Sequence, residues 1–314
     1  MRYYCRKAGG LLVTLALVSL ITFGVFQILP GNPAYIILGV DADPLQLEAL
    51  TKSMGLDLPL YQRYLNWIQG VFRGDLGQSL RYQQPVSQLI VQGLRVTGGL
   101  AAMTMLLTVL IGIPVGIWLA GHGEKPYAVG FSMLSQLSLS IPAFCMGIFL
   151  IHIFSVQLKW LPSIGFVSWA ESPLGCLKSL FLPSVSIALG SASVLIRYVK
   201  VSVTNQQKQD YVRTAYSKGL GRRRVMYGHV IRNSLIPVIT ILGMLTADIL
   251  GGSIITENVF SLPGIGRLIS VSISSRDLPL LQGLVLYLAV IVVICNFAVD
   301  LIYSVVDPRI RLKR

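Results

Sequence analysis

Charge is what this sequence has least of. Only 12% of its 314 residues are Asp, Glu, Lys or Arg, against roughly 25% in a soluble domain. With 54% hydrophobic residues and a mean hydropathy of +0.69, the scarcity argues against an ordinary soluble domain and for a membrane protein. Cysteine is sparse and scattered: Cys5, Cys145, Cys176 and Cys295 form no C-x-x-C pair, and three lie in or beside apolar runs. They suit small buried apolar side chains better than a disulfide or zinc framework. His122, His152 and His229 are far apart and make no ligand cluster. There is no G-x-x-x-x-G-K-S/T, no H-E-x-x-H and no G-x-S-x-G. P-loop nucleotide binding, zinc-protease and serine-hydrolase chemistry are therefore excluded by those routes. Gly264-Ile-Gly266 alone is a turn, not a dinucleotide fingerprint. With no catalytic constellation, no metal-ligand set and no cofactor site, a channel, a transporter or a structural membrane subunit remains.

Long apolar runs are what is present. About 20 apolar residues span a bilayer. Six such runs lie at 9–29, 98–120, 127–158 (with Pro142 inside), 179–196 (with Pro183), 235–255 (bearing Asp248) and 283–306 (bearing Asp300). The first is longer than the ~7–15-residue core of a secretory signal and no A-x-A site follows, so it is expected as an uncleaved first helix. Residues 31–96 are mixed, with Asp41, Asp43, Glu48, Asp57 and Asp75. Tyr61, Tyr64, Leu65, Ile68, Val71 and Phe72 recur there at helical spacing. That stretch reads as a small extracytoplasmic cap packed on helix ends, with a lip for a substrate-delivery protein as an addition. The expected fold class is an all-α polytopic membrane protein with six transmembrane helices. Its parts are an N-terminal helix (1–30), the cap (31–96) and a core (97–314) containing a loop at 199–234. A second polar loop is expected from Glu257 to Leu281.

The formal net charge of +13 is distributed as topology requires. Of the 26 Lys and Arg residues, 17 fall at the N-terminus, after the second run, around 197–232 and at the C-terminus. The other nine fall in the longer alternate loops. Both termini are therefore expected in the cytoplasm, and the surplus calls for no nucleic acid. The densest basic stretch, 197–232, carries nine basic residues against one acid, Asp210. Gly219-Leu-Gly221 breaks it into what reads as two short helices. Membrane runs hold both ends, which argues against a DNA-binding helix-turn-helix. A topogenic loop drawn to anionic lipid is one reading; a docking hairpin is another. In the second, Ala215 and Gly219 share a helical face and admit close approach of a partner. Gly219 and Gly221 supply a permissive turn, and Arg222, Arg223 and Arg224 present donors.

The hairpin pattern Asp210-Tyr-Val-Arg-Thr-Ala215-x-x-Lys218-Gly219-Leu220, followed by His229-Val-Ile-Arg-Asn-Ser-Leu-Ile-Pro237, resembles the EAA loop of permease subunits of ATP-binding-cassette importers, in its peptide/nickel form. The resemblance extends along nearly the whole chain. It takes in Leu29-Pro-Gly-Asn-Pro33, Met54-Gly-Leu-Asp-Leu-Pro59, Arg73-Gly-Asp-Leu-Gly77, Ser140-Ile-Pro-Ala-Phe144, Glu257-Asn-Val-Phe-Ser-Leu-Pro-Gly-Ile-Gly266 and Asp307-Pro-Arg-Ile-Arg311. The usual Glu-Ala-Ala reads Arg213-Thr-Ala215 here, so no role for the missing glutamate carries over.

The resemblance implies a type I importer permease fold in a bacterial or archaeal cytoplasmic (inner) membrane, the first of two homologous permeases. Its expected partners are that second permease, two cytoplasmic ABC ATPase subunits, an extracytoplasmic substrate-binding protein and the lipid bilayer. ATP hydrolysis belongs to the separate ATPases, and the cargo class is peptides or nickel and metal chelates. The ATPase-coupling residues it implies are Asp210, Tyr211, Arg213, Thr214, Ala215, Lys218, Gly219 and Gly221.

Four further residues are candidates for the pathway: Asp248, Gly251, Gly252 and Glu257. An aspartate at mid-helix costs roughly 2.5–3.5 kcal/mol on insertion scales and should face protein or water. Asp248 is either satisfied by neighbouring helices or protonated, or it is a pathway acid with a lean toward cationic or metal-chelate cargo. Gly251-Gly252 would admit close backbone approach. Glu257 reads as a structural anchor or gate in the loop after the fifth run, and Asp300 as a partner for the basic tail. A stand-alone secondary transporter or channel is the alternative; such proteins commonly show internal repeats, and the two halves of this chain show none.

Overall fold

The computed structural model describes residues 2–28, 38, 43–53, 55–123 and 125–306, with backbone alone at 2–8, 50, 53 and 300–306. The helix stop at residues 29–33, the Glu124 position and the basic tail from Asp307 lie outside the described residues, as does any partner of the Asp300 side chain. The described chain is helical, with a single isolated bridge between Gln78 and Pro85. In order the helices are α1 (Arg2–Ile28), α2 (Pro44–Ser53), α3 (Leu60–Phe72), α4 (Val86–His122), α5 (Pro126–Ser140) and α6 (Ala143–Leu150). A π-helical segment, Ile151–Gln157, continues α6. Then come α7 (Pro173–Gln207), α8 (Asp210–Ser217), α9 (Arg222–Val259), α10 (Ile265–Ser275) and α11 (Leu278–Val306). A π-bulge, Met226–Val230, lies inside α9.

Five helices are long and apolar enough to cross a membrane, and a sixth crossing requires the bent pair α5 and α6 to count as one. The helices exceed the apolar runs. α4 has 37 residues and α7 has 35, about 55 Å at 1.5 Å per residue, where a bilayer core needs about 30 Å. Hydropathy marks only the part in lipid; the helical hydrogen-bond ladder continues past it into polar sequence.

The third run is not a straight span. It breaks between Ser140 and Ala143 with a bend of 103°. Ile141 is extended (φ −96°, ψ 118°) and Pro142 precedes the first residue of α6, as expected when a proline drives its predecessor out of the helical region. Pro114, Pro183 and Pro237 stay inside helices. Pro183 is buried, and Pro114, though itself exposed, sits between two glycines clamped against a neighbour, described below. Pro237 is exposed, as are Ile141 and Pro142, so exposure alone does not separate the break from the tolerated prolines.

The chain divides into two compact units. The first comprises residues 1–96 and 263–294. There α3 lays Tyr64 and Trp67 on α1: the two rings stand 5.4 and 5.8 Å from that of Phe23, and the Ser19 and Tyr64 hydroxyls are 2.8 Å apart. Of the apolar stripe expected on α3, Tyr61, Leu65 and Phe72 are exposed, so the face turned to α1 is narrower than the sequence pattern. A second cluster packs Val86, Leu89 and Ile90 against Ile265, Leu280 and Leu284. Asp277, 1% exposed, caps the start of α11 through the Leu280 amide. It also accepts from the Ser79 hydroxyl and the Arg81 amide, pinning the 78–85 hairpin.

The second unit comprises residues 97–262 and 295–314. α4 and α7 run parallel and nearly touch. A Cβ on Gly112 would fall 2.6 Å from Leu195 Cδ2, and one on Gly116 would fall 2.6 Å from Val199 Cβ. Gly112-Ile-Pro-Val-Gly116 is thus a small-x-x-x-small contact, the usual device for close helix packing in lipid. α9 returns antiparallel to α7, with the Ser202 hydroxyl donating to the Ser234 carbonyl at 2.8 Å. Residues near 123 and 200 lie at one end of this unit, since a Cβ on Gly123 would be 3.8 Å from Lys200 Cε. That agrees with the charge count, which puts the 121–126 loop and the 197–232 stretch on one side. Trp118, Tyr127 and Phe131 gather at the same end, with ring centroids 5.8 and 6.0 Å apart and Lys125 5.7 Å over Tyr127. Aromatic and basic residues of this kind favour a membrane–water interface.

Candidate functional site

The segment joining α7 to α9 is a short helix held rigidly on the core. Two residues, Lys208 and Gln209, link α7 to α8, and Asp210 stands in the first turn of α8, where a carboxylate complements the helix dipole. Val212 and Ala215 are 3% and 6% exposed and join a cluster with Leu195, Val199, Val203, Val225, Val230, Val238 and Leu245. Leu220 packs against the same cluster. The Tyr211 hydroxyl donates to Gln206 Oε1 at 2.8 Å, tying α8 back to α7.

The helix ends in a Schellman motif. The Leu220 amide donates to the Ala215 carbonyl at 3.3 Å and the Gly219 amide to Tyr216 at 2.9 Å. This requires Gly219 in the left-handed region (φ 77°), where an L side chain costs roughly 1–2 kcal/mol. Leu220 is then turned inward onto the cluster. Asp210, Arg213, Thr214, Tyr216, Ser217, Lys218, Gly219, Gly221 and Arg222–Arg224 are exposed. They present one polar and basic face away from the core.

Three expectations about this hairpin change. Ala215 does not share an outward face with Gly219; it is buried in the chain's own core, and the outward face belongs to Arg213, Ser217 and Lys218. Gly221 has φ −65° and ψ 150°, a conformation open to any residue, so the turn depends on Gly219 alone. The second helix is not short: from Arg222 it runs through the π-bulge to Val259 as one element of 38 residues. The burial of Val225, Val230, Ile231 and Ser234 holds the helix together across this stretch.

The four pathway candidates all lie on α9 but separate into two sets. Asp248, Gly251 and Gly252 are exposed, in line with Met244 and Ile255, which are 57% and 55% exposed. The spacing i, i+4, i+7, i+8, i+11 makes one helix face. No hydrogen bond or ion pair to Asp248 exists among the described residues. Glu257 is fully buried. It accepts from the Thr97 hydroxyl of α4 at 2.7 Å and from the Ser253 hydroxyl at 3.2 Å. It stands in the last turn of α9 and not in a loop, because the helix continues to Val259; α10 and α11 fill most of the expected loop beyond. Glu257 therefore ties α9 to α4 through Thr97.

Thr97, Ser253 and the Gly112/Gly116 pair escaped the sequence reading. The G-x-x-x-G spacing was a usable signal for the last. Nothing in the local sequence of Thr97 announces a partner 160 positions away.

Two family models account for most of the chain. Residues 112–312 match the binding-protein-dependent transport system inner membrane component, and residues 1–101 match the N-terminal part of such a membrane component. The chain belongs to this family. Within it, the chain is 35% identical over 314 residues to GsiC of Shigella flexneri, the glutathione transport system permease protein, covering 100% of both. It is 37% identical over 306 residues to a Brucella abortus protein described as a peptide transport system permease, covering 98% of both. Among solved structures, an inward-facing MetNI methionine ABC transporter aligns with a TM-score of 0.59 over 70% of this chain and 97% of that one, at 17% identity. At that identity the likeness concerns the fold, which is that of an ABC importer permease. The matched family is one of membrane transport components.

Proposed function

We propose that this chain is one of two permeases in an ATP-driven peptide importer, that α8 docks on a cytoplasmic ATPase subunit, and that a binding protein delivers cargo to the other side of the membrane. Peptides are favoured as cargo because relatives spanning the full chain carry peptide and glutathione in their names. The lean toward nickel loses ground, since Asp248 has no companion ligand among the described residues and one carboxylate is a poor transition-metal site.

The observation that carries the coupling role is the construction of α8. A lever must be stiff, exposed on one side and joined to what it moves. Val212, Ala215 and Leu220 fix α8 to the core; Arg213, Ser217 and Lys218 face outward; Gly219 sets the turn into α9. α9 then runs unbroken for roughly 55 Å, so a displacement at Arg222 reaches the Asp248 face through a hydrogen-bonded helix. Closure of the ATPase pair would push α8 and rock α7 and α9 with it, opening the path on alternate sides.

The test is uptake by the complete transporter in proteoliposomes carrying wild type or Gly219→Trp. Within the chain, a Cβ at Gly219 meets nothing within 4 Å but stands on a left-handed residue, so Gly219→Ala, carrying the backbone strain alone, is the control, and the indole of Gly219→Trp adds bulk in the space assigned to the ATPase. Peptide uptake should fall at least roughly tenfold, the effect of losing about 1.4 kcal/mol of coupling, while membrane insertion is retained. Normal uptake by Gly219→Trp would overturn the docking role.

A further inference from the structure

The outward face of α9 holds an unpartnered carboxylate in an otherwise apolar stretch. Asp248 is exposed, and the nearest basic residue toward the N-terminal end of the helix, Arg232, is sixteen positions away, about 24 Å along the axis. Lipid is a poor environment for it, since a charged aspartate at mid-span is expensive to bury. Beside it, one turn on, Gly251 and Gly252 carry no side chains, and a Cβ at either would meet nothing within 4 Å. The carboxylate therefore borders a strip of bare helix backbone, flanked by Met244 and Ile255 as apolar rims. Peptide carbonyls hydrogen-bonded in a helix retain a second lone pair. Carboxylate and carbonyls together make a surface of negative polarity with room for a small donor group. That combination suits a hydrated ammonium, which offers three donors and no acceptor.

We propose that Asp248, with the Gly251-Gly252 strip, is a cation-selecting station in the translocation path, which meets the ammonium groups of the cargo. The inference rests on the peptide-permease reading above and adds the cargo chemistry that α9 prefers. Asp248 supplies the charge, the two glycines supply space, and Glu257 on the opposite side of the helix keeps that face turned outward by holding α9 to Thr97. In transit a cationic peptide exchanges water for the carboxylate, while an acidic peptide meets repulsion at the same point.

The experiment is ATP-driven uptake by the complete transporter, with both permeases, ATPases and binding protein, of three peptides of one size: Ala-Lys-Ala, Ala-Ala-Ala and Ala-Glu-Ala. For each peptide the ratio of variant to wild type removes the preference of the binding protein. Asp248→Asn should lower Ala-Lys-Ala uptake roughly tenfold, the worth of one charge-assisted hydrogen bond, lower Ala-Ala-Ala less, and leave Ala-Glu-Ala unchanged or faster. Asp248→Glu should retain the wild-type order.

An equal loss for all three peptides would overturn the proposal and mark Asp248 as an ion-pair partner of the second permease. No change would overturn it as well. If wild-type transporter carries none of the peptides, the cargo reading falls, and this inference falls with it. Basal ATP hydrolysis by the Asp248→Asn complex separates a selective transport defect from failed assembly. A complex that does not assemble overturns the station in favour of a structural carboxylate.

Discussion

Asp248 and Glu257 are nine residues apart on one helix and lead opposite lives. At about 100° per residue, nine residues are half a turn out of phase. Glu257 faces inward, fully buried, with two hydroxyls donating to it. Asp248 faces outward beside two glycines, with no partner among the described residues. Two carboxylates that a hydropathy plot scores alike therefore have opposite consequences. One fastens the helix, and the other marks the face the helix shows to whatever passes or docks. In a membrane the distinction is sharper than in water, because no solvent stands ready to satisfy either group where lipid surrounds it.

The comparison predicts a large asymmetry in stability. Glu257→Ala removes from a buried site the carboxylate that the Thr97 and Ser253 hydroxyls donate to. Removing this buried acceptor should cost about 2–3 kcal/mol and lower the thermal midpoint of the purified protein by several degrees. Asp248→Ala should leave that midpoint unchanged. Equal loss from both would erase the distinction between the two faces.

A smaller effect sharpens it. Gly251→Ala adds a methyl group in open space and replaces a poor helix former, so the chain should gain about 0.5–1 kcal/mol. The same methyl group narrows the strip beside Asp248, and uptake of Ala-Lys-Ala should fall severalfold although the protein is more stable. Stability and transport moving in opposite directions would place Gly251 on a working surface. If both rose together, the glycine would be incidental.

How far the sequence could be read follows from what each feature depends on. The six apolar runs and the side shared by the 121–126 loop and the basic stretch were legible because burying charge in lipid is costly wherever it occurs. The Gly219 turn was legible because glycine is the usual left-handed residue at a helix end, although Arg276 ends α10 in the same conformation. Helix ends were not, since the hydrogen-bond ladder of α4 and α7 continues well beyond the lipid-soluble part. The break at Ile141-Pro142 was not either. Proline is tolerated at 114, 183 and 237, of which only Pro183 is buried, and no local pattern separates those sites from 142. The inward turn of Ala215 and the burial of Glu257 likewise depend on contacts with α7, α9 and α4, which no local pattern states. The position of α8 and its turn could therefore be located from sequence to within a few residues, but not which of them face outward.

The orientation of α8 is the most direct test of the account. Cysteine introduced at Ser217, on the exposed face, and at Ala215, on the buried one, can be compared in the assembled transporter with a short thiol crosslinker. The account predicts a Ser217→Cys crosslink to the ATPase subunit and none from Ala215→Cys. Failure of Ser217→Cys to reach the ATPase, or an equal crosslink from Ala215→Cys, would contradict it.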